Sequence, residues 1–160
     1  MIFVVTGTEA FPFNRLIKKI DSMKKNGTIE DDVFIQLGSC DYTPTECRWE
    51  KWLPFDRMVD NIRISNHVIT HAGAGTTLLC LDLGKKPILV TRRKIWGEHV
   101  DDHQVEFAEL MDRLEYASVA YDVSELPGIY NITKTSHKGK NVKHREKEKL
   151  ITVLNDWIKS

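Results

Sequence analysis

The sequence lacks any apolar run of about 20 residues, the length that a membrane-spanning helix requires. It also lacks the basic leader of a signal peptide, because Met1 is followed directly by the apolar run 2–5, which predicts a strand. No excess of one charge is present, since 23 basic residues balance 23 acidic ones. The chain as a whole therefore has no bulk attraction for nucleic acid, and we expect no nucleic-acid partner.

Cysteine is scarce and irregularly spaced. Cys40, Cys47 and Cys80 are odd in number and form no CxxC pair, which argues against a zinc site or a disulfide framework. We expect reduced thiols in a cytoplasmic protein. Internal repeats and low-complexity tracts are also lacking, so the 160 residues predict a single domain over residues 1–160.

Apolar strand-like runs alternate with amphipathic helical segments along the chain. The expected strands are residues 2–5, 32–37, 48–53, 68–70, 88–90 and 116–121. The expected helices are residues 14–25, 56–64, a segment starting near residue 76, one ending near residue 114, and residues 142–158. Residues 122–135 are expected to form a loop, with mobility over residues 128–141. This alternation predicts an α/β fold with a doubly wound parallel sheet.

Residues 66–90 indicate a strand, a glycine loop, a helix and a further strand. In the loop HAGAGT (residues 71–76), glycines allow a sharp turn and close approach of a ligand, and Thr76 or Thr77 can cap the helix. A helix that starts from such a loop presents free N–H groups, which suit a phosphate. Neither a Walker lysine nor GxGxxG spacing is present, so the motif alone also fits an ordinary β–α turn. A protonated His71 would offset diphosphate charge, whereas the alternative for His71 is a structural role.

Two further polar segments follow expected strands, at residues 6–8 and 91–104. Ligands of open α/β sheets bind beyond the carboxyl ends of the strands, so three polar loops at one edge predict a binding site there. The basic run 92–94 is either a solvated loop or a contact for phosphate or a partner. The rings of Trp49, Trp52 and Trp96 are expected in the core or an interface, and Trp96, in the polar loop, is the best candidate for stacking on a ligand or partner.

The segments VTGT (residues 5–8), ITHAGAGT (69–76) and RRKIWGEHVDDHQVEF (92–107) resemble one known family. They are similar to the C-terminal, donor-binding half of family-28 glycosyltransferases of the GT-B type. The likeness extends to small subunits that consist of that half alone, in bacterial two-part exopolysaccharide or capsular polysaccharide galactosyltransferases and in a eukaryotic lipid-linked N-acetylglucosaminyltransferase. The segment GEHVDDHQVEF favours the bacterial branch.

The resemblance implies a Rossmann-like single half of a GT-B fold that binds a UDP-sugar as substrate and needs no cofactor. The glycine loop would meet the diphosphate, the loop after the first strand would line the same cleft, and a His–Gln pair would hold sugar hydroxyls. The implied substrate-binding residues are Thr6, Gly7, Thr8, His71, Gly73, Ala74, Gly75, Thr76, Glu98, His99, His103 and Gln104. GT-B enzymes generally need no metal in this half, so sugar hydrogen bonding is preferred to a metal site for residues 98–104.

One position departs from the pattern of the family. Many relatives carry a glutamate three residues after Thr76, where it binds the ribose, and here that residue is Leu79. Either Glu98 or Asp102 holds the ribose instead, or nucleotide binding is weaker.

The resemblance also implies a partner. A membrane-anchored subunit would bind a lipid-linked saccharide acceptor and supply the general base, so no catalytic residue is assigned here. The chain would transfer galactose or N-acetylglucosamine in polysaccharide synthesis and lie in the cytoplasm, at the membrane face through its partner. The basic, amphipathic C-terminal helix either packs on its own sheet or docks to that partner. The alternatives are a non-catalytic enhancer of the partner and a stand-alone nucleotide-binding regulator.

Overall fold

The computed structural model describes residues 1–136 and 144–159. Six parallel strands form one sheet in the order β3-β2-β1-β4-β5-β6. The strands are β1 (Ile2–Val5), β2 (Val33–Gln36), β3 (Arg48–Glu50), β4 (His67–His71), β5 (Ile88–Val90) and β6 (Ser118–Ala120). The strand order reverses between β1 and β4, so the carboxyl ends of these two strands flank the crevice where such sheets bind ligands. The expected doubly wound, Rossmann-like sheet is confirmed.

Helices cover both faces of the sheet. They are α1 (Asn14–Lys25), α2 (Phe55–Ile64), α3 (Ala74–Asp82), α4 (His103–Arg113), α5 (Leu126–Thr135) and α6 (His144–Lys159), with a short 3-10 helix at Lys94–Trp96. Because side chains of a strand alternate between the two faces of the sheet, the residues of β1 belong to two apolar clusters. Ile2 and Val4 pack in the cluster under α1 and α5. Phe3 and Val5 pack in the cluster under α2 and α3. In the described part of the chain, every helix is too short or too polar to cross a bilayer.

The prediction of a loop over residues 122–135 is wrong, because α5 occupies most of this segment. Pro127 lies in the first turn of α5, where a missing N–H costs nothing. Leu126 and Tyr130 anchor the helix to the sheet with fully buried side chains. Of the expected mobile loop at residues 128–141, residues 128–135 therefore belong to a helix, and residues 137–143 lie outside the described residues.

The start of α3 also differs from the expectation. The helix begins at Ala74 with Gly73 as its N-cap residue, so neither threonine caps it. Thr77 lies inside the first turn, and its hydroxyl donates to the carbonyl of Gly73 at 2.8 Å. The earlier start places three residues of the glycine loop in the first turn of the helix.

Helix α6 packs against the domain. The buried Leu150 and Leu154 join an apolar cluster with Leu81 and Phe107, whereas Ile151 is exposed. These contacts favour packing of the C-terminal helix on its own sheet. Residues 142 and 143 of the expected helix lie outside the described residues.

Asp21 of α1 fastens the segment between β2 and β3. Its carboxylate accepts hydrogen bonds from the Tyr42 hydroxyl at 2.6 Å and from the main-chain N–H groups of Thr45 and Glu46 at 3.1 and 2.8 Å. Burial alone would raise the pKa of Asp21, but the bonds from Tyr42, Glu46 and Thr45 outweigh it and lower that pKa. Asp21 therefore stabilises the fold most when it is ionised.

We expect Asp21→Asn to lower the free energy of unfolding by about 2 kcal/mol at pH 7, because an amide offers one acceptor where a carboxylate meets three donors. The contribution of a carboxylate with a lowered folded pKa is present above its unfolded pKa of about 3.9 and is lost as the pH falls through the folded pKa. Urea unfolding from pH 7 to pH 3 measures this. Asp32→Asn, at an exposed side chain, is the control, and an equal loss in both variants would contradict the prediction.

Candidate functional site

A cleft of about 290 Å³ opens at the carboxyl edge of the sheet, beside the reversal of strand order. Three segments form its walls: the loop after β1, the chain between β3 and α2, and the turn from β4 into α3. The lining residues are Val5, Gly7, Thr8, Glu9, Gln36, Trp52, Leu53, Met58, His71, Gly73, Ala74, Gly75 and Thr76. Two of the three polar loops expected at this edge, residues 6–8 and 71–76, thus contribute to a single cleft.

The first turn of α3 presents free amide groups to the cleft. The first hydrogen bond of the helix runs from Thr77 N to Gly73 O at 3.1 Å. Among the described residues, none accepts a hydrogen bond from the N–H groups of Ala74, Gly75 or Thr76. Ala74 and Gly75 are exposed to solvent. Three such groups at the positive end of a helix are free to donate to an anion.

The ring of His71 packs between two glycines of the cleft. A Cβ atom added at Gly73 would lie 2.2 Å from His71 Nε2, and one added at Gly7 would lie 2.6 Å from the same atom. Gly7 also has a φ of +86°, which side-chain-bearing residues rarely adopt. Both glycines are therefore required by the position of the imidazole, and Gly7 is required by the turn of the backbone as well.

The surroundings of His71 disfavour the charged form of its imidazole. Burial, helped by the charge of Arg92, lowers the pKa of His71 to about 4. Its Nδ1 lies 3.4 Å from Val5 O and 3.2 Å from the Thr70 hydroxyl, and Thr70 itself donates to Val5 O, so Nδ1 carries the hydrogen. The low pKa and the burial of the ring favour the structural role that was the alternative for His71. His71 fills and shapes the floor of the cleft.

Part of the cleft lining is apolar. Trp52 is 48% exposed and lines the cleft together with Leu53 and Met58. Trp49, in β3, is 41% exposed, so neither ring lies in the core, and the expected interface location stays a prediction. The signal that could have identified Trp52 was its place just after a strand, at the edge where the polar loops also lie.

Glu98 and His99 bind other parts of the protein. Glu98 is 3% exposed, and both of its carboxylate oxygens are held by Arg15 at 2.7 and 2.9 Å. His99 Nε2 lies 3.0 Å from a carboxylate oxygen of Glu9, which lines the cleft. Neither Glu98 nor His99 lines the cleft, but both connect the loop after β5 to the neighbouring α1 or its preceding loop. Trp96, proposed for stacking on a ligand, is 60% exposed and lies 5.4 Å from the Arg15 guanidinium.

His103 and Gln104 form the start of α4 and do not line the cleft. His103 is exposed, and a hydrogen bond to Glu106 with the charge of Asp101 raises its pKa. Gln104 is only 6% exposed, and its Oε1 has no hydrogen-bond partner among the described residues. A buried amide oxygen of this kind favours a partner from outside the chain. The described His, Cys, Asp and Glu side chains contain no cluster that could hold a metal ion.

The fold and the cleft together define a Rossmann-like α/β domain, whose cleft lies at the carboxyl edge of the sheet beside the helix after the fourth strand. The sequence profile of the glycosyltransferase family 28 C-terminal domain matches residues 1–156, and the chain belongs to this family.

Individual relatives agree with this assignment. The chain is 32% identical over 71 residues to the UDP-N-acetylglucosamine transferase subunit ALG13 of Yarrowia lipolytica, a match that covers 44% of this chain and 34% of the relative. It is 30% identical over 76 residues to the UDP-N-acetylglucosamine transferase subunit ALG13 of Candida albicans, a match that covers 48% of this chain and 23% of the relative. The matches thus span about a third or less of these relatives.

Solved glycosyltransferases share the fold. The calicheamicin glycosyltransferase CalG4 superposes with a TM-score of 0.60 at 15% identity, over 93% of this chain and 38% of that one. MurG of Acinetobacter baumannii superposes with a TM-score of 0.56 at 20% identity, over 84% of this chain and 40% of MurG. In each case this chain corresponds to less than half of the solved protein, and the expected GT-B relationship is confirmed at the level of the fold.

Proposed function

We propose that this chain is the donor-binding half of a two-part hexosyltransferase, in which it binds a UDP-sugar and a second polypeptide binds the acceptor. The observation that carries the proposal is the row of three free amides at the start of α3, open to a cleft at the reversal of strand order. A diphosphate against these amides would be bound by hydrogen bonds to charged oxygens, which are stronger than those between neutral groups.

The apolar part of the cleft suits a nucleobase. Trp52, Leu53 and Met58 offer an aromatic face and aliphatic surface in the same cleft as the amides. Stacking of a base on an aromatic ring contributes about 1–3 kcal/mol. The cleft thus combines an anion site with an apolar wall, as a nucleoside diphosphate requires.

The transferred group and the acceptor follow from the family and its relatives. The relatives named as UDP-N-acetylglucosamine transferase subunits support a hexose donor, which is galactose or N-acetylglucosamine in this proposal. The acceptor is a lipid-linked saccharide in polysaccharide synthesis, held by a membrane-anchored partner that supplies the general base. The chain then works in the cytoplasm at the membrane face. Departure of UDP from the anomeric carbon would be eased by the amides of α3, which stabilise developing charge.

Binding of UDP tests the proposal directly. Trp52→Ala should weaken UDP binding about tenfold or more, because the stacking surface is lost. Trp49→Ala is the matched control, since Trp49 is exposed to a similar degree, lies three residues away and does not line the cleft. Isothermal titration of UDP into both variants and the unchanged protein gives the comparison, and equal affinities in the two variants would remove Trp52 from the site.

The same titration separates the main alternative, a non-catalytic enhancer. Leu79, the residue that favoured this alternative, packs partly buried against the apolar cluster that includes Phe3 and Val68. Its side chain therefore has a place in the packing of α3. Absence of UDP binding both by the chain alone and by its complex with the partner would favour the enhancer.

A further inference from the structure

Arg92 is a buried cation at the end of β5, beside the cleft. Its side chain is 1% exposed, and by residue volume it heads the fully buried side chains of the described residues. Its guanidinium donates to three main-chain carbonyls: Nη1 to Phe11 O at 2.7 Å and to Glu98 O at 3.1 Å, and Nη2 to Thr6 O. One side chain thus ties together the loop after β1 and the loop after β5.

The loop that Arg92 holds is the one that lines the cleft. Residues 6–13 connect β1 to α1 and contain no helix or strand, and Gly7, Thr8 and Glu9 of this loop face the cleft. On the other side, Gln36 of β2 accepts from Gly7 N at 3.2 Å and donates to Gly7 O at 3.1 Å. Gln36 thus holds the loop from the side of β2. Arg92 holds the same loop from the side of β5, near its start at Thr6 and near its end at Phe11.

The charge of Arg92 is not used in an ion pair. No salt bridge to Arg92 is formed by the described residues, and the nearby Glu98 carboxylate is occupied by Arg15 and by Arg93 N. The Phe13 ring lies 5.4 Å from the guanidinium. A planar fork of five donors can reach carbonyls from separate segments at once, whereas a lysine ammonium acts as a single point. The arrangement uses the shape of arginine, and the charge still acts on a residue of the cleft, because it adds to the burial that lowers the pKa of His71.

We propose that Arg92 is the positioning residue of the donor site, which fixes the loop of Gly7, Thr8 and Glu9 against the loop after β5 so that the cleft fits a nucleoside diphosphate. This inference rests on the proposed function. Arg92 itself does not line the cleft. It acts on the ligand through the main chain of the loop and through its charge.

Arg92→Lys tests the proposal because it keeps the charge and removes the fork. We expect it to weaken UDP binding at least tenfold in isothermal titration. Asp21→Asn is the matched control: it removes anchoring hydrogen bonds from a segment outside the cleft and should lower stability without weakening UDP binding. Both variants are titrated at temperatures equally far below their own unfolding midpoints. An affinity for UDP in Arg92→Lys equal to that of Asp21→Asn would overturn the proposal.

A second measurement needs no variant and covers the case in which Arg92→Lys does not fold. In the unchanged protein, hydrogen exchange of the Arg92 guanidinium, followed by NMR, should slow at least tenfold when UDP saturates the cleft, because the ligand tightens the loop that the guanidinium holds. Exchange that UDP leaves unchanged would contradict the positioning role. If the unchanged protein and its complex with the partner fail to bind UDP, the proposed function itself is wrong, which is a different outcome from normal binding by Arg92→Lys.

Discussion

Replacing Gly73 with alanine should lower the free energy of unfolding by about 2 kcal/mol and abolish UDP binding. The added Cβ would lie 2.2 Å from His71 Nε2 and 2.8 Å from Cδ2, distances that only a shift of the ring or of the helix start can relieve. The ring cannot move far, since it is buried between β1 and the loop after β4 and its Nδ1 faces Val5 O. The backbone of Gly73 has a φ of −81°, which alanine adopts freely, so the expected loss does not come from a forbidden backbone conformation.

Gly75→Ala is the matched control for this prediction. Gly75 lies two residues further on, inside the first turn of α3, and a Cβ added there meets nothing within 4 Å. Alanine in place of a helical glycine is favourable by about 0.5–1 kcal/mol, so Gly75→Ala should be at least as stable as the unchanged protein. Urea unfolding of both variants gives the two free energies. Equal stability of Gly73→Ala and Gly75→Ala would show that His71 does not constrain the glycine loop.

Those parts of the fold that depend on local periodicity were predictable from the sequence. The apolar run of β1 and the stripe of α1 each have the period of their own element, and the alternation of such elements indicates a parallel sheet. Helix α5 was missed because Pro127 and Gly128 are local signals of a loop. The burial of Leu126 and Tyr130 against the sheet, a tertiary effect, outweighs those signals.

Those parts of the site that depend on contacts between distant segments were not predictable. Arg92 looked like one of three basic residues in a polar loop, and nothing near it in sequence shows that the carbonyls of Thr6 and Phe11 surround it. Glu98 was expected near the ligand because of its place beside the His–Gln pair in the family resemblance, and its Arg15 partner lies 83 positions away in the chain. The glycine loop was easier to interpret, because its strand, turn and helix are consecutive and the free amides follow from local geometry.

Gln104→Met should raise the free energy of unfolding by about 1 kcal/mol and, under the proposed function, lower sugar transfer about 100-fold. Gln104 is 6% exposed, and its Oε1 has no partner among the described residues, so a side chain of similar size without that acceptor removes a desolvation cost. Gln104 does not line the cleft, so in the proposed complex the sugar extends from the cleft to the start of α4, where the amide both donates to and accepts from neighbouring sugar hydroxyls. Two such bonds, at about 1–1.5 kcal/mol each, account for the expected loss of transfer.

The comparison of two ligands on this one variant separates a sugar contact from a general disturbance of the cleft. UDP lacks the sugar, so Gln104→Met should bind UDP as the unchanged protein does, while its affinity for UDP-galactose or UDP-N-acetylglucosamine should fall to that for UDP. Urea unfolding measures the stability, isothermal titration the two affinities, and an assay of the reconstituted pair the transfer. A variant that is less stable than the unchanged protein would mean that Gln104 has a structural role, because its amide would then contribute to the fold in the absence of ligand. A gain in stability together with a selective loss of sugar affinity would instead identify Gln104 as a residue whose unpaired oxygen is maintained for the substrate.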